Sequence, residues 1–184
     1  MQLNALDCVC SVVRKDRMAI RKIITSENPI LRQKAKKVHH FDASMQKLVD
    51  DMFETMHAAH GAGLAAPQIA LSIRVFVAEF EDNKVALFNP EIIKAEGEEL
   101  GTEGCLSIPG YAGDNIRRAT TVVVKGQDAR GKPVRVRAEG WFARVLQHEI
   151  DHLDGILFLD RLERPEDLRE VSEEEFEEAG VTVE

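Results

Sequence analysis

The segment from Gln147 to Gly155 constrains this chain more than any other, because it places His148 and His152 four residues apart with Glu149 directly after the first histidine. On a helix that spacing sets both imidazoles on one face, one turn apart, able to hold a single divalent metal. Glu149 can then reach a metal-bound water without being a ligand, and is placed to shuttle its protons. Chance alone would produce the pattern on the order of once per hundred chains of this length. Its surroundings add weight. Trp141, Phe142, Ala143, Val145, Leu146, Ile150 and Leu153 make the segment apolar on most sides, which predicts a helix buried in the core. Two histidines and a glutamate inside such a helix are costly unless partnered; a metal partners them directly, and a hydrogen-bonded core pair is the alternative.

A chain of 184 residues with 44% hydrophobic content suffices for one compact domain with a proper core. The net charge of −8 is local: from Glu163 to Glu184 there are ten acidic residues and two arginines, while the rest balances at 22 acidic and 22 basic. The body is neutral, so composition signals no nucleic-acid partner. No apolar run approaches membrane-spanning length. Cys8, Cys10 and Cys105 form no disulfide framework, which fits a reducing, cytoplasmic setting. Cys8-x-Cys10 without a partner cluster is a weak metal motif. Residues 1–17 lack the basic opening and long apolar region of a signal peptide and read as a disordered extension, residues 18–165 as the catalytic domain, and 166–184 as an acidic tail.

Along the chain, Ile20 to Thr25 reads as a short strand. Asn28-Pro29 opens a helical turn. Met45, Leu48, Val49, Met52, Phe53 and Met56 recur at helical spacing, with Asp42 or Ser44 as cap and Gly61 as terminator. That stripe is core packing. His57 and His60 near its end are cations favoured by the helix dipole rather than ligands. The small-residue loop Gly61–Gln68 allows close backbone approach to a ligand or a tight crossover. Ile73–Phe80 pairs with Val85–Phe88, Glu91–Glu99 forms a further strand, and Thr121–Lys125 with Pro133–Arg137 forms a hairpin. Ile156–Leu159 reads as a short strand and Pro165 as a helix start. Many strands followed by a buried helix indicate an α+β fold, mostly antiparallel sheets packed around a buried central helix that carries the histidine motif.

Two histidines need a third ligand. Three residues past Gly155, where a metzincin protease has histidine, stands Phe158. A zincin-type glutamate could come from Glu166, Glu170 or Glu173, but these lie in a polar tail beyond a glycine stop. Cys105, alone among glycines, is the better candidate; its other readings are a small buried hydrophobe or a nucleophile. The residues alone leave these three open. Three motifs in matching order, Gly61-x-Gly63-Leu64-Ala65-Ala66-Pro67-Gln68, Glu103-Gly104-Cys105-Leu106-Ser107 and Gln147-His148-Glu149-x-Asp151-His152-x-x-Gly155, resemble the three signatures of the peptide deformylases, over about Met18 to Leu162.

The resemblance implies that Cys105, His148 and His152 ligate one divalent metal, Fe2+ foremost, with Zn2+, Ni2+ or Co2+ as substitutes. It implies Glu149 as general base and acid, and Gln68 with the backbone N–H of Leu106 as oxyanion donors. Gly63 and Gly104 would line the peptide groove, and Arg144, with Trp141, the methionine pocket, where an arginine is less expected. The substrate would be the N-formyl-methionyl end of nascent polypeptides, met transiently at the ribosome, and the products formate and a free amino terminus. Asp151 and Gln147 are candidates for orienting ligands, and Arg118 for pairing with Glu103 behind the cysteine loop. The alternatives are a zincin-type metallopeptidase and a catalytically silent homologue that binds formyl peptides.

Overall fold

The computed structural model describes residues 19–172 and Glu175. The expected extension at 1–17, with Cys8 and Cys10, lies outside the described residues, as does Glu173. The described fold is α+β with two antiparallel sheets and two α-helices. The larger sheet contains β1 (Gly63–Ala65), β2 (Val75–Phe80), β3 (Asn83–Glu96), β6 (Thr121–Gln127) and β7 (Pro133–Glu139), in the order β1-β2-β3-β6-β7. The smaller holds β4 (Glu99–Gly104), β5 (Tyr111–Arg118) and β8 (Leu168–Glu170), in the order β4-β5-β8.

Helix α1 (Ala43–Ala58) follows its apolar stripe: Leu48, Val49, Met52 and Met56 are buried, and the Asp42 carboxylate caps it by accepting from the Ser44 amide at 2.8 Å. The chain leaves the helix through His60, at φ +54°, while the Gly61 amide donates to the Met56 carbonyl. The left-handed step thus falls one residue before the expected glycine. Strand β2 explains why the large sheet is apolar on both faces. Val75 and Val77 point towards α1 with Leu64 and Phe88, whereas Phe76 and Ala78 point the other way, towards Phe142, Leu146 and Leu153 of α2 (Gly140–Asp154). A sheet covered on both sides reads as a continuous hydrophobic run, as Val75-Phe76-Val77-Ala78 does.

Four local expectations are corrected. Ile20–Thr25 joins no sheet; its amides go to α1 and its neighbours, Arg21 to the Thr55 hydroxyl at 2.8 Å and Ile24 to the Gln68 carbonyl at 2.8 Å. The two strands expected on either side of Pro90 are one, β3, bent at Asn89 (φ +50°), whose side chain ties the bend to Val38 and Gln127. Ile156–Leu159 forms no strand, because the Asp160 carboxylate accepts from the Leu157 amide at 2.8 Å and opens a 3-10 turn over Phe158–Arg161. Past Pro165 there is a single 3-10 turn, Pro165–Asp167, after which Leu168–Glu170 pairs with β5 as β8.

Gly155 ends α2 in the left-handed conformation, φ +76°, and lies so close to Arg32 that a Cβ there would come within 2.8 Å of its carbonyl carbon. Glycine is needed at that position twice over. It anchors the C-terminal end of α2 against the turn Pro29–Arg32, which fixes the helix between the large sheet and a small third core of Leu31, Cys105, Ile108, Ile116, Leu157 and Phe158.

Candidate metal centre

The third core places Cys105 against α2. The Cys105 Sγ lies 3.2 Å from His152 Nε2, and one donor atom each from Cys105, His148 and His152 fall within 4.8 Å of one another. The two imidazole rings stand edge to face, centroids 4.9 Å apart, as a one-turn helical spacing allows. Cys105 is buried, at 4% exposure, and follows directly on β4, whose last residues alternate so that Glu103 and Cys105 address the same side.

Glu103 completes this side of the site. Its Oε2 lies 2.9 Å from His148 Nδ1, so that nitrogen carries the proton and Nε2 is left for the cluster. The same carboxylate accepts from Arg118 Nε and Nη2 at 2.7 and 2.9 Å, confirming the pairing expected from the sequence, and from Arg144 Nη1 at 3.1 Å. Burial would raise its pKa, but the bonds from Arg118 and His148 hold the carboxyl well below the usual carboxylate range.

Glu149 is the opposite case. It faces the cleft, is buried, and its Oε2 has no partner among the described residues. Burial raises its pKa to about 7, with the His148 charge acting the other way. A Cβ on Gly63 would come within 2.9 Å of the Glu149 side chain, so glycine at β1 leaves room for that carboxylate. Gln68, buried in the 3-10 turn Ala66–Ile69, is oriented by its Oε1 accepting from the Ala65 amide at 2.7 Å. That directs Nε2 inward, 3.4 Å from the Ser107 hydroxyl and 3.8 Å from Cys105 Sγ.

Gln68, Glu103, Cys105, His148 and Glu149 border one cleft of about 90 Å3, which Gly63, Gly104, Leu106 and Trp141 also line. Arg144 borders it too, yet its guanidinium is engaged with Glu103, the Ile116 carbonyl at 2.9 Å and Glu99. Gly101 leaves space for it: a Cβ there would sit 2.8 Å from Nη2. The tail glutamates are elsewhere, Glu166 exposed beside Arg164 and Glu170 in β8 opposite Tyr111.

The donor set fits a divalent cation. A thiolate and two imidazoles are suitable ligands, and the buried Glu149 Oε2 beside them is orphaned, a costly state in a site of protein atoms alone. His148 points the same way: burial opposes a charged ring, yet bonds to Cys105 and Glu103 raise its pKa well above the ordinary value, so the site favours positive charge there. His152 is held well below it, by burial first and the His148 charge second.

The link between Glu103 and His148 was not anticipated from the sequence, although the two-residue step from Glu103 to Cys105 in a strand is a signal for it. Ser107, beside Gln68, and Arg161, beside Asp151, were also missed.

The family model for polypeptide deformylase matches residues 20–167. The peptide deformylase of Dehalococcoides mccartyi is 54% identical over 156 residues, covering 84% of this chain and 93% of that protein. That of Dictyoglomus thermophilum is 51% identical over 142 residues, covering 77% of this chain and 92% of that protein. Among solved structures, peptide deformylase from Thermus thermophilus superposes with a TM-score of 0.77 at 46% identity, covering 87% of this chain and 92% of that one. The Thermotoga maritima enzyme gives 0.76 at 42% identity, covering 79% and 99%. With the cysteine and both histidines clustered within 4.8 Å of one another, and with relatives this similar over most of its length, this chain belongs to the peptide deformylase family of metal-dependent hydrolases.

Proposed function

We propose that the protein hydrolyses the N-formyl group from the formyl-methionyl end of nascent polypeptides, releasing formate and a free amino terminus. The observation that carries this is the buried Glu149 carboxylate, one oxygen of it orphaned, beside the Cys105, His148 and His152 donors. In this reading the buried helix α2 is the metal-bearing element, and a bound divalent cation, Fe2+ foremost, with Zn2+, Ni2+ or Co2+ able to replace it, supplies Lewis acidity and lowers the pKa of a water towards about 7.

The protein's own groups do the rest. Glu149 takes a proton from the attacking water and returns it to the leaving amide nitrogen, work for which a carboxyl raised to about 7 is suited. Gln68 Nε2, held by the Ala65 amide, and the Leu106 N–H donate to the developing oxyanion. Gly63 and Gly104 offer backbone to an extended peptide. Arg144, held by Glu103 and Ile116, shapes the wall of the methionine pocket rather than presenting a free charge. The cleft is narrow, and a formyl carbon bears only hydrogen on its far side, so small size selects it over bulkier acyl groups.

We further propose that residues 18–165 form the catalytic unit, flanked by the 1–17 extension and the acidic tail 166–184, with β8 as the tail's attachment to the smaller sheet. The setting is cytoplasmic, with transient contact at the ribosome through surfaces other than the tail. Among the described residues no helix is long and apolar enough to cross a membrane. The test is formate release from a formyl-Met peptide by anaerobically prepared, iron-loaded protein, with Glu149→Ala as control. Turnover that depends on metal and on Glu149 is the expected result; absence of formate from fully loaded wild-type protein would sink the proposal.

A further inference from the structure

Behind the metal centre, a line of charged side chains runs from the surface to His148. Arg161, in the 3-10 turn Phe158–Arg161, has a side chain 41% exposed; its Nη2 donates to Asp151 Oδ1 at 2.6 Å and its Nε to Oδ2 at 3.0 Å. Arg118 Nη1 donates to the same Oδ2 at 2.6 Å. The other edge of the Arg118 guanidinium is the one that grips Glu103, whose Oε2 meets His148 Nδ1. Charges alternate along the line, so each carboxylate sits between two cationic or donating neighbours. A polar cavity of about 290 Å3 flanks its outer end, bordered by Arg117, Arg118, Gln147, Asp151 and Arg161.

The geometry restricts what each member can do. A guanidinium is planar and rigid, so Asp151 on one Nη and Glu103 on the opposite edge together fix the plane of Arg118. With Glu103 alone, that plane could rock about the shared bonds. Asp151 in turn is held square to Arg118 by the bidentate Arg161. Glu103 has two oxygens to share among Arg118, Arg144 and His148, and its hold on the imidazole is only as steady as the arginine beneath it.

We propose that Arg161 and Asp151 are positioning residues for His148. They lock Arg118, and through Glu103 they keep the imidazole turned with Nδ1 bonded and Nε2 directed at the Cys105 and His152 donors. This rests on reading those three residues as metal ligands. It assigns the solvent end of the line, Arg161, a part in metal retention although it touches neither ligand nor cleft.

The test uses full-length, cobalt-substituted protein and reads the rate of cobalt transfer to EDTA together with the thiolate-to-cobalt absorption band. Partners that orient a metal-binding histidine are worth about 10–100-fold in affinity, so D151N should release cobalt about 10-fold faster or more, and R161Q several-fold faster. R161K, which keeps one contact to Asp151, should fall between R161Q and wild type. R161A should be slowed back towards wild type by millimolar ethylguanidine, for which the adjoining cavity has room. Should D151N fail to fold, R161Q decides, since Arg161 lies at the surface. Lower melting temperatures with unchanged release rates and an unchanged band in R161Q would overturn the proposal, because a brace between Phe158–Arg161 and α2 would do only that. Wild-type protein that holds no cobalt overturns the ligand reading and this proposal with it. Wild-type protein that holds cobalt but releases no formate overturns only the deformylase reading.

Discussion

Glu103 and Glu149 flank the same histidine, both nearly inaccessible to solvent, and their surroundings give them opposite character. Glu103 is met by two arginines and an imidazole and stays ionised far into acid. Glu149 has the cleft on one side and no partner for one oxygen, and burial raises it to about 7. Burial penalises both carboxylates equally in kind; the partners decide the outcome. One side chain is thereby a fixed anion that shapes the site, and the other a group able to pass a proton near neutral pH.

Replacing each by glutamine should separate these roles. The largest effect expected is on turnover: Glu149→Gln removes the proposed proton carrier and should lower kcat/KM for formyl-Met peptide by about 10^2–10^4-fold while the protein keeps its metal. A variant as active as wild type would erase the distinction. Next, Glu103→Gln leaves Arg118 and Arg144 buried against a neutral amide, and breaking such a buried cluster costs about 3–5 kcal/mol of stability, measurable by urea denaturation of metal-free protein. With a depressed pKa, the contribution of Glu103 is present above the ordinary carboxylate range and is lost as pH falls through its folded value, so its loss should also blunt acid unfolding.

Glu149→Gln should act in the reverse direction on the same metal-free measurement. Its carboxyl is raised from 4.5 to about 7, so the stability it allows is fully present below pH 4.5 and is lost as pH rises through 7. Glutamine does not ionise. The variant should therefore exceed wild type at pH 8 by on the order of 3 kcal/mol, with the difference vanishing by pH 4. Equal stability at both pH values would show that water, and not protein, solvates the carboxylate. The smallest effect concerns room rather than charge: Gly63→Ala would push the Glu149 side chain from its place, and misplacing the proposed proton carrier should cost about 10-fold in kcat with little change in melting temperature.

Much of this was legible from residue patterns where one physical rule dominates. The stripe from Met45 to Met56 keeps helical period over three turns, and α1 follows it, capped by the anticipated Asp42. The β2/β3 and β6/β7 pairings follow from apolar runs joined by short polar turns. Patterns misled where side chains supplied partners the backbone would otherwise seek in a sheet. Ile20–Thr25 is apolar enough for a strand, but Asp51 and Thr55 take the nearby amides of Ala19 and Arg21. Leu157 is likewise diverted by Asp160, and Asn89 turns what looked like a break at Pro90 into a bend within one strand. Arg144 stands at the cleft, but whether its guanidinium faces substrate or the protein depends on Gly101 and Glu103, some forty residues away in sequence.

The opening motif, His148-Glu149-x-x-His152, by itself determined two imidazoles on one helical face and a carboxylate beside them, since four residues make about one helical turn. Read with the cysteine and glutamine motifs, it also pointed to the family. What only the tertiary structure decided is the state of those groups. Cys105 reaches His152 because a third core packs it against α2, His148 is turned by a glutamate held between two arginines, and Glu149 is raised by burial with no such partner to offset it. Spacing along a helix is local geometry, whereas solvation and charge balance depend on every element that closes around the site.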